Sequence, residues 1–471
     1  MQDHDSDDSR ETEEDVTASG GETDVDDFPL PPGPDGYPLL GSSHQVVRRP
    51  LDFYDTLAEH GDVVRYSAFG QPFTTVLHPD YVEQVLLSEH GSFEKWLGEE
   101  FTDDHFAPEG LVFTSGEQWQ RQRTIVQEMF TIDRIQTFAD VMGEYADDLV
   151  DSWADGETVA LNRAFPELTL RILVHTLLDV DLDGVNQDVI REGVDVVNEQ
   201  ANPRNLSALV PEWVPTPFNR RYRRALSDLR GFVDDLVARR RRALEQGGEV
   251  PDDLLSVLVT AEDDEGRTLS ETEIRDQMLT FLGAGTETTA LALTYTFLEL
   301  AKHDDVSQRL ATEHERVLDG ESPGLEQFDQ LDYTEAVIDE AMRLYPPAYM
   351  MFREASEDVA IGGYRIPEGE KVTVPQFHVQ TDPRWYDDPE TFRPSRWLAG
   401  LEDDLPDYAY FPFGGGPRHC IGMRFAMMEL KHIVTTIAQA VDLELLSDPD
   451  PGFAPGLTLQ PADDVRVRVS K

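Results

Sequence analysis

The only cysteine among 471 residues stands in "FPFGGGPRHCIG", residues 411–422. A lone thiol can serve as a nucleophile, as a single metal thiolate, or as an inert buried group. Thiolate ligation makes three demands. The thiol must lose its proton, the backbone must come close to a flat cofactor, and the sulfur must be kept from water. Gly414, Gly415 and Gly416 permit close approach and unusual backbone angles. Pro417 stiffens the turn. Beyond Gly422, "MRFAMMELKHIVTTIAQAV" repeats apolar residues at helical spacing, which sets Cys420 just before a helix start. Free N–H groups and the helix dipole there, with Arg418 nearby, predict a lowered thiol pKa. A structural cysteine in a glycine turn is the bland reading, and the whole constellation argues against it.

Three further clusters place charge or hydroxyls at helical spacing. "DEAMRLYPP" puts Glu340 and Arg343 on one face of a helix that must end before Pro346 and Pro347. Taken alone, such a pair is an ordinary surface ion pair of small worth. "WQRQR" puts Trp119 and Arg123 one turn apart. "AGTETT", residues 284–289, lies within the apolar stretch "MLTFLGAGTETTALALTYTFLEL". Gly285 costs a helix about 1 kcal/mol against alanine, which predicts a kink opening a groove beside Glu287 and Thr288. The bland alternative is a buried helix whose threonine hydroxyls bond back to its own carbonyls.

"FGGGPRHCIG" resembles the haem-thiolate signature of the cytochrome P-450 family at every fixed position: Phe413, Gly416, Arg418, Cys420 and Gly422. From about residue 28 onward the other clusters follow in that family's order. The resemblance implies a mainly α fold, a large helical domain with a small β-sheet region. It implies haem b with Cys420 as the axial iron ligand, and Phe413 and Gly285 against the cofactor. It implies that Trp119, Arg123, Arg418 and Arg353 meet the haem propionates. Glu340 and Arg343 would join Arg396, in "FRPSRW", in a buried structural network. Glu287 and Thr288 would form the acid–alcohol pair that supplies protons during catalysis. Ala284, Ala348, Tyr349 and Met351 would line the substrate pocket, with parts of 96–113, 200–217 and 456–460.

The implied activity is a monooxygenase that inserts one atom of O2 into a hydrophobic molecule such as a fatty acid, terpenoid or steroid. Electrons would come from a separate ferredoxin and its reductase, docking near Arg418, Arg424, Lys431 and Arg393. A peroxide-driven enzyme, an isomerase-type relative and a non-enzymatic haem-thiolate sensor are the alternatives. The acid–alcohol pair argues against the first and third.

These residues need a scaffold. Helical spacing is found at 51–60, 80–89, 117–130, 133–153, 167–179, 219–245, 271–301, 304–318, 333–345 and 422–441. Segments 62–78 and 359–376 read as two hairpins. Residues 1–27 hold twelve acidic side chains and one arginine, a composition that predicts a disordered tail ahead of one domain spanning 28–471.

Charge is the other global feature. Ninety-three acidic residues against 39 basic ones give a formal net charge of −54, and only five of the basic residues are lysines. Such a surface repels nucleic acid. It resembles that of cytosolic proteins from salt-accumulating halophiles, so a high-salt cytoplasm is expected. The amino terminus lacks a signal sequence, and Glu287 and Glu299 argue against a transmembrane anchor in the longest apolar run. Nine arginines crowd residues 220–242. Pairing with Asp228, Asp235 and Glu245 accounts for them better than an anionic partner does.

Overall fold

A helix from Glu271 to Lys302 runs through the middle of the protein and is buried for most of its length. Its start is fixed by a capping box, in which Ser270 accepts from the Glu273 amide and Glu273 accepts from the Ser270 amide. Apolar residues surround it on most sides, the pattern of a helix enclosed by others. The computed structural model describes residues 24–38, 40–96, 106–180, 182, 184–201, 205, 210, 213–247, 250–263, 266–318, 320 and 323–471.

Helices Leu161–Leu178, Pro217–Glu245, Asp332–Leu344 and Met423–Ala440 pack around this central helix. The closest neighbour is Leu161–Leu178. A Cβ on Gly285 would lie 2.8 Å from Leu173 Cδ1, so the glycine permits this approach. The helix passes Gly285 without a break. Helix Gly184–Ala201, absent from the helical segments expected above because its sequence is polar and β-branched, lies against Pro217–Glu245.

The main sheet has five strands in the order 63–68, 71–76, 371–374, 351–355, 93–95. The hairpin predicted at 62–78 is present, Val63 pairing with Val76. The hairpin predicted at 359–376 is corrected: 359–361 pairs with 364–366, across the turn at Gly362 and Gly363. Residues 371–374 leave it to run parallel to 71–76 and antiparallel to 351–355. All four side chains of 371–374 are buried, as a central strand requires.

Residues 1–23 lie outside the described residues, while Val25–Asp27 forms a helical turn and Asp26 meets Arg365 at 2.6 Å. Among the described residues no helix is long and apolar enough to cross a membrane.

Candidate active site

Cys420 sits two residues before Gly422, the N-cap of the helix Met423–Ala440. Its amide donates to the Phe413 carbonyl at 2.8 Å, closing the loop on itself. Gly416 has φ +63, and a Cβ there would collide with the Leu86 carbonyl, so only glycine fits. The Cys420 side chain is exposed, yet it is strongly desolvated. The ring of Phe130 lies close by and stacks on Phe281 of the central helix at 5.6 Å, one turn before Ala284.

The expectation of a lowered thiol pKa is reversed. Burial pushes the Cys420 thiol up, outweighing the Gly422 amide and Arg123, which pull it down. Arg418 plays no part in this, because its guanidinium lies over the Trp119 ring at 4.5 Å and donates to the Thr114 carbonyl. A coordinating metal ionises a thiol outright, so burial alone does not disqualify the ligand.

A cavity of about 300 Å3 lies against the central helix. Phe106, Phe113, Val197, Met351 and Leu457 give it an apolar wall, and Ala284, Glu287 and Thr288 face it from the helix. Ala348 lines it, but Tyr349 does not. The Tyr349 hydroxyl donates to the Gly456 carbonyl at 3.1 Å and its ring packs on Leu459, while the next residue, Met350, lines the cavity instead. Gly285 likewise turns away from the cavity, toward Leu173. Of the broader segments, 96–113 contributes Phe106, Val112 and Phe113, and 456–460 contributes Leu457 and Thr458. Residues 97–105 and most of 202–212 lie outside the described residues.

Three cations that feel one another's charge line the cavity: Lys95, Arg353 and Arg418. Among the described residues none has a carboxylate within ion-pair distance. Burial and the two guanidinium groups drive Lys95 down to about 7. Burial and Arg418 drive Arg353 down to about 10. Three such cations on an apolar cavity, with only the field of Glu94 acting on Arg418, are costly unless an anion joins them. They fit the two carboxylates of a haem, and Arg418 stands two residues before Cys420, the cysteine able to ligate its iron. Arg123 is not in this group: it donates to the His419 carbonyl at 2.9 Å, beside Cys420. Sequence reasoning missed Lys95, although a lysine in so lysine-poor a chain was a signal.

Glu287 is buried and saturated with donors. Thr458 donates to Oε1 at 2.8 Å, Gln460 donates to the same oxygen, and Asn198 donates to Oε2. Burial pushes its carboxyl up, partly offset by these three bonds. Thr288 donates to the Ala284 carbonyl at 2.7 Å, the local bond made by several threonines of this helix. The acid and the alcohol adjoin on the cavity wall without a hydrogen bond between them.

Glu340 is fully buried and accepts from Arg343 at 2.8 and 2.9 Å, Arg396 at 2.8 Å, and Trp397 and the Arg393 amide at 3.0 Å. The expected network is therefore assembled. The expected docking cations mostly are not free: Lys431 pairs with Glu335 and Arg393 lies near Asp388, leaving Arg424 exposed.

The family model for cytochrome P450 matches residues 31–465. The chain belongs to the cytochrome P450 family. Cyclooctat-9-en-7-ol 5-monooxygenase of Streptomyces melanosporofaciens is 34% identical, covering 86% of this chain and 87% of its own. Pentalenene oxygenase of Streptomyces avermitilis is also 34% identical, covering 88% and 92%. A retinoic acid-bound cyanobacterial CYP120A1 superposes with a TM-score of 0.82 at 25% identity, covering 94% of this chain and 99% of that one. This P450 is thus a haem-thiolate monooxygenase that uses haem b and O2 on hydrophobic substrates, with electrons from a redox partner.

Proposed function

We propose that Cys420 is the axial thiolate of the haem and that Lys95, Arg353 and Arg418 receive its propionates. The observation that carries this reading is the cluster of cations without ion-pair partners among the described residues, lining the same cavity as Ala284 and Thr288. Thiolate-ligated haem supplies activation of O2, so that one atom enters a C–H or C=C bond and the other leaves as water. The protein's part is to exclude bulk water, hold an apolar substrate and meter protons. The apolar wall serves the first two tasks, and Glu287 with Thr288 serves the third. Glu287 holds a proton readily, because burial raises its carboxyl. Thr288 can accept a hydrogen bond through its oxygen while its own proton rests on the Ala284 carbonyl.

The substrate class is a compact, hydrocarbon-rich molecule of terpenoid type. Support comes from the apolar wall and from two relatives whose names specify a cyclooctatenol and pentalenene. The donor is a ferredoxin with its reductase, and the setting is a high-salt cytoplasm, as the charge of −54 suggests. The purified haem protein tests both parts of the reading. Its reduced carbon monoxide complex should show the red-shifted thiolate band, and Cys420→Ser should lose it. Pentalenene should shift the haem spectrum at lower concentration than a long-chain fatty acid does. Retention of the band in the serine variant would refute the ligand assignment, and the reverse order of affinity would refute the substrate class.

A further inference from the structure

Glu287 is a wall between two spaces. On one side lies the apolar cavity, and on the other a polar cleft of about 230 Å3 that Glu287 also lines. The cleft opens to solvent among Arg163, Glu167, Arg191 and Asp195, all exposed. At its inner end Thr286, Glu287 and Ala290 are buried. Gln187, Arg191 and Asp195 follow one another at one-turn spacing along helix Gly184–Ala201, and Asn198 comes next on the same face and donates to Glu287. A polar stripe therefore runs from the surface to the Glu287 carboxylate. The cleft has room and partners for several ordered waters. The cavity wall, by contrast, is mainly apolar and is shared with three cations.

Asp195 is the carboxylate of the cleft whose field reaches Glu287. Arg191, Glu192, Glu199 and Arg221 surround it. Arg191 pairs with Asp188 at 2.6 Å and Arg221 with Glu192 and Glu199 at 2.6 Å, and among the described residues no cation lies within ion-pair distance of Asp195.

We propose that this cleft is the proton-uptake route of the enzyme, and that Asp195 passes solvent protons through water to Glu287. A proton leaves the Asp195 carboxyl, arrives on a Glu287 oxygen, and Asp195 is reprotonated from bulk water. Asn198, Thr458 and Gln460 are positioning residues that hold the Glu287 carboxylate on the wall between the two spaces. The proposal rests on the reading of Glu287 as the proton donor on the cavity side.

The test uses the haem-loaded enzyme with a surrogate ferredoxin, its reductase and NADPH, without organic substrate. Hydrogen peroxide released per NADPH is measured for Glu287→Gln, Asp195→Asn and Asp195→Glu. Both amide variants should release several-fold more peroxide and show a larger solvent isotope effect, with the carbon monoxide band unchanged. Asp195→Glu should restore the original ratio. If Glu287→Gln alters the ratio and Asp195→Asn does not, the route is wrong while the reading of Glu287 stands. If neither alters it, the reading of Glu287 falls as well. A crystal structure of the loaded enzyme gives an independent answer. Ordered water should join Asp195 to Glu287, and a cleft closed or dry between them would overturn the proposal.

Discussion

Lys95 shows how a buried cation destabilises the fold that holds it. Burial and two neighbouring guanidinium groups hold its folded-state pKa at about 7, far below the unfolded value of about 10.4. Between those values the unfolded chain binds the extra proton, so stability rises with pH across this window. The penalty is fully present below about pH 7. Lys95→Met should therefore raise the melting temperature of the haem-free protein near pH 7 and flatten its rise toward pH 10. The same substitution should speed haem loss to an acceptor such as apomyoglobin. A haem-free variant no more stable than wild type would show that Lys95 is not strained. Thr288 makes a separate claim at this scale. A positioned proton donor is worth roughly 10²- to 10⁴-fold. Thr288→Ala should keep haem and substrate affinity but form far less product per NADPH, releasing peroxide instead. An unchanged ratio would favour a peroxide-driven or isomerase-type enzyme.

At the scale of elements, the Glu340 network braces the cysteine loop from behind. Arg343 bonds Glu340 twice and reaches the Gln380 carbonyl at 3.1 Å, and the Gln380 side chain accepts from the Phe411 amide at 3.0 Å. Phe411 begins the loop that ends at Cys420. Removing one partner from a buried charge set costs about 3–5 kcal/mol, because the others are stranded. Arg343→Ala should therefore give little haem-loaded protein. Recovering it loaded, with unchanged urea resistance, would contradict that bracing. The Glu–Arg spacing and the cysteine loop were legible in the sequence because helical geometry and a close backbone approach each restrict residue choice. The facing of Tyr349 and Gly285 was not, since it depends on which neighbour arrives across space: Gly456 for the one, Leu173 for the other. Asn198 and Gln460 were hidden for the same reason, being 89 and 173 residues from the carboxylate they hold. Strand 371–374 was readable as a strand, but its partners were not, because parallel pairing leaves no turn to mark it.

For the whole molecule, charge sets the conditions under which every other contact acts. The excess of acidic over basic residues is 54, and the basic ones are largely committed. In the arginine-rich helix, Arg240 meets Asp253 in the interior, Arg241 meets Glu271, and Arg221 meets Glu192 and Glu199. Arg224 with Asp228, at 3.7 Å, follows the within-helix pattern that the sequence suggested. Most acidic side chains therefore have no cation, and their repulsion favours the expanded chain. Salt acts on the two kinds of charge differently. The screening length falls from about 10 Å at 0.1 M to about 3 Å at 1 M, which removes repulsion between exposed carboxylates. It scarcely touches the Glu340 network, where Glu340 and Arg343 are both at 0% exposure. Exposed pairs such as Arg163 with Asp464 weaken too, but each is worth at most about 1 kcal/mol. The melting temperature should therefore climb steeply between 0.1 and 2 M potassium chloride, whereas sucrose at equal osmolality should produce a smaller rise. Arg343→Ala should lower the melting temperature by a similar amount at both salt concentrations, since its loss lies inside the protein. A melting temperature independent of salt would remove the high-salt setting, and a defect in Arg343→Ala that salt repaired would place its network at the surface.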